Sequence, residues 1–372
     1  MVKKGLIAVK KTKTLTVTFH RAINFGAVYQ AYGLQQTLIS LGYDNKIIDL
    51  SYEKDKIYTS CKQSTLKGVL GACKYNLKIV KKRKEIRKSL ARFEDFVSRN
   101  LKLTRHYVTY DEFVKEIPFA NYYITGSDQV WNLSFFPDLR GLYLLEFVKK
   151  GKRVSYAASM GKYRPDSNTE IRNALDQYDK ISVREKSTLE YLRGMNLRVE
   201  CYNHIDPVFL LNKKQWIQVS RDCCKEYGIE EKYILCYELI AEKKVQDVLN
   251  YLAKKYKLKT VVVTLKRPSV LDADYKIIDA GPSEFLGLIE KAEIVLSTSF
   301  HGMAMSIIMN KQFYVLPMTA SERFSDCLSL FHLEEQLLQR ETEFKEHIIT
   351  NYMEVNSIIA EERIKSIEYL RL

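Results

Sequence analysis

The strongest constraint on the fold is a strand, a helix and a second strand read in succession from the start of the chain. Thr14-Leu-Thr-Val-Thr-Phe-His20 alternates with β-branched residues, residues 27–41 set Val28, Leu34, Leu38 and Leu41 near one helical face, Gly42 ends that helix, and Lys46-Ile-Ile-Asp-Leu50 reads as the next strand. This is a βαβ unit, which builds a parallel sheet. Short strands follow at 122–125, 153–157, 180–183 and 199–202, and a second series runs through 233–239, 260–265, 275–279, 293–297 and 313–317. Helical spacing at 241–256, 283–292 and 301–310 alternates with the second series. A chain of 372 residues exceeds what one core usually serves. The expectation is therefore an N-terminal Rossmann-like domain over 1–205 and a C-terminal one over 206–341, with the hinge near 206–232. The Lys-rich region 52–118 reads as a basic helical insertion in the first domain. A last helix, about 342–370 within the segment 342–372, is expected to cross back to the N-terminal domain.

In an open α/β sheet, ligands collect outside the carboxyl ends of the strands, where loop residues and the N–H groups of the next helix converge. Glu293-Ile-Val-Leu-Ser-Thr-Ser-Phe-His301-Gly302 is such a junction, a buried strand breaking at polar residues into a helix. A phosphate or carboxylate suits it, and a histidine there can donate a proton or stabilise negative charge near neutral pH. The competing reading makes His301 a helix-start packing residue and Gly302 a site of close approach. Asn24-Phe25-Gly26-Ala27 forms the matching junction of the first βαβ unit, with Asn24 and Gly26 either turn residues or ligand contacts.

Lys and Arg total 59 against 45 Asp and Glu, a net charge of +14, which favours anionic partners. Much of the excess lies in 74–92, where Lys74, Lys78, Lys81, Lys82, Arg83, Lys84, Arg87, Lys88 and Arg92 are interleaved with Leu77, Val80, Ile86 and Leu90. The stretch reads as a basic amphipathic helix. Its face is either simply solvated or drawn to an anionic membrane or lipid-linked substrate; no nucleic-acid motif accompanies it. Seven cysteines, at 61, 73, 201, 223, 224, 236 and 327, show neither CxxC spacing nor a small-domain disulfide framework, as expected of a cytoplasmic chain. No 18-residue apolar span occurs, so the expected location is cytoplasmic, at most peripheral at the inner face of the membrane. Scattered His and acidic residues imply no metal site.

Read together, several segments resemble the polysaccharide pyruvyl transferase family. They are Asn24-Phe-Gly-Ala-Val-Tyr-Gln-Ala-Tyr-Gly-Leu-Gln35, Tyr123-Ile-Thr-Gly-Ser-Asp128-Gln-Val-Trp131-Asn, Val154-Ser-Tyr-Ala-Ala-Ser159, Ile181-Ser-Val-Arg184-Glu185, Asp206-Pro207-Val-Phe-Leu, Gly281-Pro-Ser-Glu284-Phe and Ser299-Phe-His301-Gly302, in the family order. The resemblance implies two Rossmann-like halves facing a central cleft, as in the GT-B glycosyltransferases. It further implies transfer of pyruvate from phosphoenolpyruvate to a sugar of a surface or exopolysaccharide precursor, lipid-linked, with a pyruvate ketal as product and no cofactor beyond the donor. A nucleotide-sugar glycosyltransferase of GT-B type and a non-catalytic polysaccharide-assembly protein are the alternatives.

That chemistry needs cations for the donor's carboxylate and phosphate, an acid for its methylene carbon and a base for sugar hydroxyls. By resemblance, Arg184, His301, Arg323, Ser299 and Gly302 are the expected donor contacts. His301 is then the acid and Asp206 the base, and Asn24, Asp128 and Trp131 face the acceptor, Trp131 as a stacking surface or as plain core. Two positions depart from the family pattern. Ser299 stands where some members carry Arg, and Ala27 stands where an Asp often follows Asn-x-Gly.

Overall fold

The computed structural model describes residues 11–51, 80–165, 169–318 and 322–372. Lys74, Leu77 and Lys78 of the basic stretch, with Cys61 and Cys73, lie outside the described residues. The first lobe holds β1 (Lys13–Val17), β2 (Asp44–Leu50), β3 (Leu103–Tyr107), β4 (Tyr122–Thr125), β5 (Lys152–Ser155), β6 (Ile181–Val183) and β7 (Cys201–Asn203). The second holds β8 (Tyr233–Tyr237), β9 (Lys259–Val263), β10 (Tyr275–Ile277), β11 (Ile294–Ser297) and β12 (Gln312–Val315). The first sheet runs β3-β2-β1-β4-β5 and the second β10-β9-β8-β11-β12, so each lobe repeats one order of third, second, first, fourth, fifth. All these pairings are parallel. The β6–β7 pair extends the first sheet through bridges from Val154 to Lys180 and Ala158 to Val183. In both lobes the order reverses beside the first strand, which places the ligand-collecting crevice at the carboxyl ends of β1 and β4 and of β8 and β11. The chain is thus α/β with two Rossmann-like halves, the GT-B-like arrangement expected from the sequence.

The region 52–118 is no insertion over its described part. The helix Arg83–Asn100 is the crossover between β2 and β3, and β3 pairs with β2 at the sheet edge. Leu103-Thr-Arg-His-Tyr107 escaped notice because an edge strand needs only weak apolar alternation. The crossover helix also differs from a membrane-facing amphipathic helix. Its Ile86, Phe93, Phe96 and Val97 are buried in the core. Lys88 pairs with Glu226 (2.8 Å) and Asp279 (2.9 Å), and Arg92 with Glu226 (2.5 Å) and Asp279 (3.4 Å), all on the second lobe. These partners hold the Glu226 carboxyl down at about 2, the Lys88 hydrogen bond most of all, with Arg92 adding to it against the opposing effect of burial. Among the described residues of the stretch, Lys81, Lys82, Arg83, Lys84 and Arg87 are exposed as well, Lys82 pairing with Glu85 at 2.7 Å. No helix among the described residues is long and apolar enough to cross a membrane.

The helix Phe25–Ser40 joins the two lobes, with most of its residues buried. Phe25 stacks on Phe93 of its own lobe (5.3 Å between centroids) and on Phe285 of the other (4.1 Å). Tyr29 donates its hydroxyl to the Pro282 carbonyl at 2.7 Å. One apolar cluster therefore runs continuously through both lobes. The final helix is Tyr352–Tyr369, shorter than the expected 342–370, because Asn351 caps it by accepting from the Glu354 N–H. It does return to the first lobe, where Tyr369 donates to the Ser155 carbonyl at 2.8 Å. Arg363 donates to the Phe209 carbonyl at 2.9 Å.

Gly33 marks where this packing tolerates no side chain. A Cβ there would lie 2.4 Å from the Pro207 carbonyl oxygen, backbone against backbone. Gly33→Ala is expected to cost about 1–3 kcal/mol as an overpacked contact, read as a lower denaturant midpoint at an unchanged m-value.

Candidate active site

Asp206 is the point on which the site converges. It begins the turn Pro207–Leu210, where its Oδ1 accepts from the Val208 N–H at 3.1 Å. Its Oδ2 accepts from Arg184 Nη1 at 2.6 Å and from Ser127 at 3.5 Å, and lies 3.5 Å from His301 Nε2. The carboxylate is fully enclosed. Burial alone would raise its pKa, but His301 and Arg184 outweigh that and hold it well below the usual carboxylate range. A carboxylate so stabilised is a weak base, and it has no open face for a sugar hydroxyl. Asp206, expected as the hydroxyl base, thus lies enclosed in an ion pair with Arg184, its Oδ2 3.5 Å from His301 Nε2.

Arg184 follows β6. Its Nε donates to Glu185 (3.1 Å), and its Nη2 lies 3.9 Å from Asp128. Burial disfavours its charge, yet Glu185, Asp206 and Asp128 together hold the guanidinium above its ordinary pKa. Glu185 is itself fixed by Ser159, whose Oγ donates to it at 2.6 Å. Arg323, from the helix Glu322–Leu330, approaches the same region. The Phe300 ring is shared, with the Arg184 guanidinium carbon 5.3 Å and the Arg323 carbon 5.7 Å from its centroid. Burial first, and Arg184 second, lower the Arg323 pKa. Among the described residues, Arg184 Nη2 and Arg323 Nε are buried with no hydrogen-bond acceptor. Two buried cationic N–H groups short of acceptors are costly unless an anion supplies them.

His301 lies in the first turn of the helix Phe300–Ile308, with 8 % of its side chain exposed. Its other flank is the first turn of the helix Phe25–Ser40, because a Cβ at Gly26 would fall 1.9 Å from His301 Nδ1. The two junctions singled out in the sequence thus meet across the cleft. Asn24 caps its helix, accepting from the Gly26 N–H at 2.8 Å, and also lines the cleft. Two connected chambers flank this centre. One, of 450 Å³, is lined by Phe19, Asn24, Asp128, Phe135, Phe136 and His301; the other, of 530 Å³, by Ser159, Lys162, Arg164, Glu185 and Glu322 among others. Gln129, Leu239, Ser299 and Arg323 border both.

Asn24, Asp128, Ser299, His301 and Arg323 are thus brought together around the cleft, with Arg184 packed behind them. Trp131 and Gly302 are not. Trp131 is buried, with Nε1 donating to the Tyr143 carbonyl at 3.2 Å and its ring edge-on to Tyr178, so it offers no face to an acceptor. Gly302 is buried too, and a Cβ there would sit 2.2 Å from Ser297 Oγ, so it serves close packing against β11. Sequence reasoning missed Phe300 as a neighbour of the two arginines, and Phe19, Phe135 and Phe136 as chamber walls. Phe135 and Phe136 follow directly on the Gly126–Asn132 segment, which was the available signal.

Two expected outcomes follow from this geometry. Gly26→Ala should displace the His301 ring while the chain stays folded, at a cost of about 100-fold in turnover if the ring moves by roughly 1 Å, measured by single-turnover rates with circular dichroism as control. Asp206→Asn should destabilise by about 3–5 kcal/mol, the range for breaking a buried ion pair. Because the folded pKa of Asp206 is depressed, its contribution is complete above the unfolded value of about 3.9 and is lost as pH falls below it. The denaturation gap between wild type and variant should therefore be constant near neutrality and shrink below about pH 4.

A profile of the polysaccharide pyruvyl transferase family matches residues 24–318. A search of curated proteins finds no match. Among solved structures the chain is similar to the S. aureus MnaA–UDP co-structure at 14% identity and TM-score 0.45, covering 97% of this chain and 89% of that one. It is also similar to UDP-GlcNAc 2-epimerase from Methanocaldococcus jannaschii (11%, TM-score 0.46, 96% and 92%) and to E. coli ADP-heptose lps heptosyltransferase II (10%, TM-score 0.40, 94% and 99%). The family match spans most of the chain, from the Asn24 junction through the His301 junction, and the chain belongs to the polysaccharide pyruvyl transferase family.

Proposed function

We propose that the chain transfers pyruvate from phosphoenolpyruvate to two hydroxyls of a sugar in a surface-polysaccharide precursor. One observation carries the reading within this family. Arg184 Nη2 and Arg323 Nε are buried cationic donors without acceptors, both guanidinium groups lying near the Phe300 ring. A donor bearing both a carboxylate and a phosphate supplies the missing acceptors, and Arg323 provides a cation that Ser299 cannot. The first turns of the helices Phe300–Ile308 and Glu322–Leu330 add partial positive charge to the same region.

In this reading His301, 3.5 Å from Asp206, gives a proton to the methylene carbon of the donor. The C2 centre becomes oxocarbenium-like and is attacked by one sugar hydroxyl, whose proton passes to a base. Phosphate then leaves with the C2–O bond electrons, and the second hydroxyl closes the ketal as its proton goes to the departing phosphate or to water. Asp128, at the chamber wall, accepts from the hydroxyls in this reading. A lipid-linked acceptor would bring the protein to the membrane surface, where the exposed Lys81–Lys84 face adds an electrostatic attraction of about 1 kcal/mol per basic residue near the surface.

His301→Gln should lower single-turnover rates by about 100- to 10,000-fold, the range for a lost general acid, with donor affinity only modestly changed. Arg323→Gln should instead weaken donor binding by roughly 10- to 100-fold, the loss of a charged hydrogen bond. Calorimetric titration with phosphoenolpyruvate, and mass spectrometry of candidate sugars for the ketal, are the measurements. A folded His301→Gln protein turning over within a few-fold of wild type would remove His301 from the chemistry.

A further inference from the structure

A three-carbon donor occupies only part of the 450 Å³ chamber, and the chamber walls differ in chemistry. The wall from the second lobe carries Ser299, His301 and Arg323. The wall from the first lobe carries Phe19, Phe135 and Phe136, with Asp128 and Gln129 at its edge. Phe135 is 52% exposed, between the exposed Ser134 and the half-buried Phe136. A single exposed aromatic needs no explanation, but one that stands with two others beside a carboxylate and an amide, facing the proposed acid, makes a two-sided surface.

We propose that the Phe135–Phe136 loop is the platform on which a pyranose ring of the acceptor stacks, with Asp128 and Gln129 taking its hydroxyls. The inference rests on the pyruvyl-transfer reading for its choice of a sugar. A pyranose has apolar C–H faces and a polar rim, which is the complement of this wall. An apolar ligand would leave the carboxylate unanswered, and an inorganic anion would leave the phenyl faces unused. Asp128 accepts the Gln129 N–H through Oδ1 at 2.9 Å, and a carboxylate retains further acceptor capacity for hydroxyls.

The platform is built to be rigid. Asp128 holds a left-handed backbone (φ 71°), and the Val130 and Ser159 N–H groups both donate to its carbonyl, at 2.7 and 3.0 Å. Trp131 beneath it is buried, its Nε1 donating to the Tyr143 carbonyl at 3.2 Å. Phe136 lies edge-on to Phe19 at 5.6 Å, and Phe19 edge-on to Tyr143 at 5.3 Å. Trp131 therefore positions the acceptor surface from beneath, and Phe135 and Phe136 present it. Prior ordering of this kind lowers the entropy lost when a sugar docks.

The test uses saturation-transfer NMR on the whole protein with methyl pyranosides of glucose, galactose, mannose and N-acetylmannosamine, and with uridine monophosphate as a stacking control. The expected result is transfer to the ring C–H protons of at least one pyranoside, reduced about tenfold in affinity by Phe135→Ala, in line with the upper end for an aromatic contact, and restored by Phe135→Trp. Phosphoenolpyruvate affinity, measured calorimetrically on the same preparations, should be the same for all three. No transfer from any pyranoside, transfer unchanged by Phe135→Ala, or transfer to the uridine alone would overturn the platform. Loss of phosphoenolpyruvate binding by the wild-type protein would instead strike the pyruvyl-transfer reading and leave the sugar result to stand by itself.

Discussion

The first turn of the helix Phe25–Ser40 is the constraint on which the molecule depends. Asn24 caps it, Phe25 enters the aromatic stack of the opposite lobe, and Gly26 leaves just enough room for the His301 ring. Three consecutive residues thus fix the helix start, the distance between lobes and the orientation of the proposed acid. Movement of this turn would disturb all three together. That coupling gives a physical reason for the composition of the segment: a capping side chain, a large flat aromatic and a residue without a Cβ, each irreplaceable for a different cause.

The electrostatics of the site follow from the same closeness. Arg184 and Arg323 both approach the Phe300 ring, and like charges so near each other would repel were they not balanced. Asp206, Glu185 and Asp128 neutralise Arg184, and the cost falls on Arg323, whose affinity for its proton is lowered by burial and by its neighbour. A bound dianion would relieve that imbalance. Breaking a buried pair is far more damaging than its net contribution suggests, so the carboxylates that seem to compete with a donor for Arg184 are also what allows a buried arginine to wait for one.

Much of this was legible in the sequence, and the failures share a cause. The alternation of elements gave both parallel sheets, because apolar periodicity is local information. That Asn24-x-Gly and Ser-x-His301 each stand at the carboxyl end of a strand also followed, whereas their contact across the cleft, made through Gly26, did not. β3 did not follow, because Thr104, Arg105 and His106 hide an edge strand. Trp131 and Asp206 stand in segments that were recognised, yet whether such a side chain faces solvent or the interior depends on partners far along the chain: Tyr143 for one, Arg184 and His301 for the other. Lys88 and Arg92 show this most plainly. Their pattern is that of a solvated basic face, but their acidic partners lie more than a hundred residues away on the other lobe.

Those long-range partners bear on how the cleft works. Two-lobed chains commonly move about a small, polar interface. Here the lobes are joined by stacked rings at Phe25, Phe93 and Phe285, by the Lys88 and Arg92 ion pairs, and by a final helix that fastens the end of the second lobe to the first through Tyr369 and Arg363. Opening the lobes would expose that aromatic stack to water and separate the ion pairs at once. The cleft is therefore better described as preformed than as assembled by closure, and a ligand reaches Arg323 and His301 through the mouths of the two chambers, so the side chains at those mouths, rather than a hinge, govern what enters.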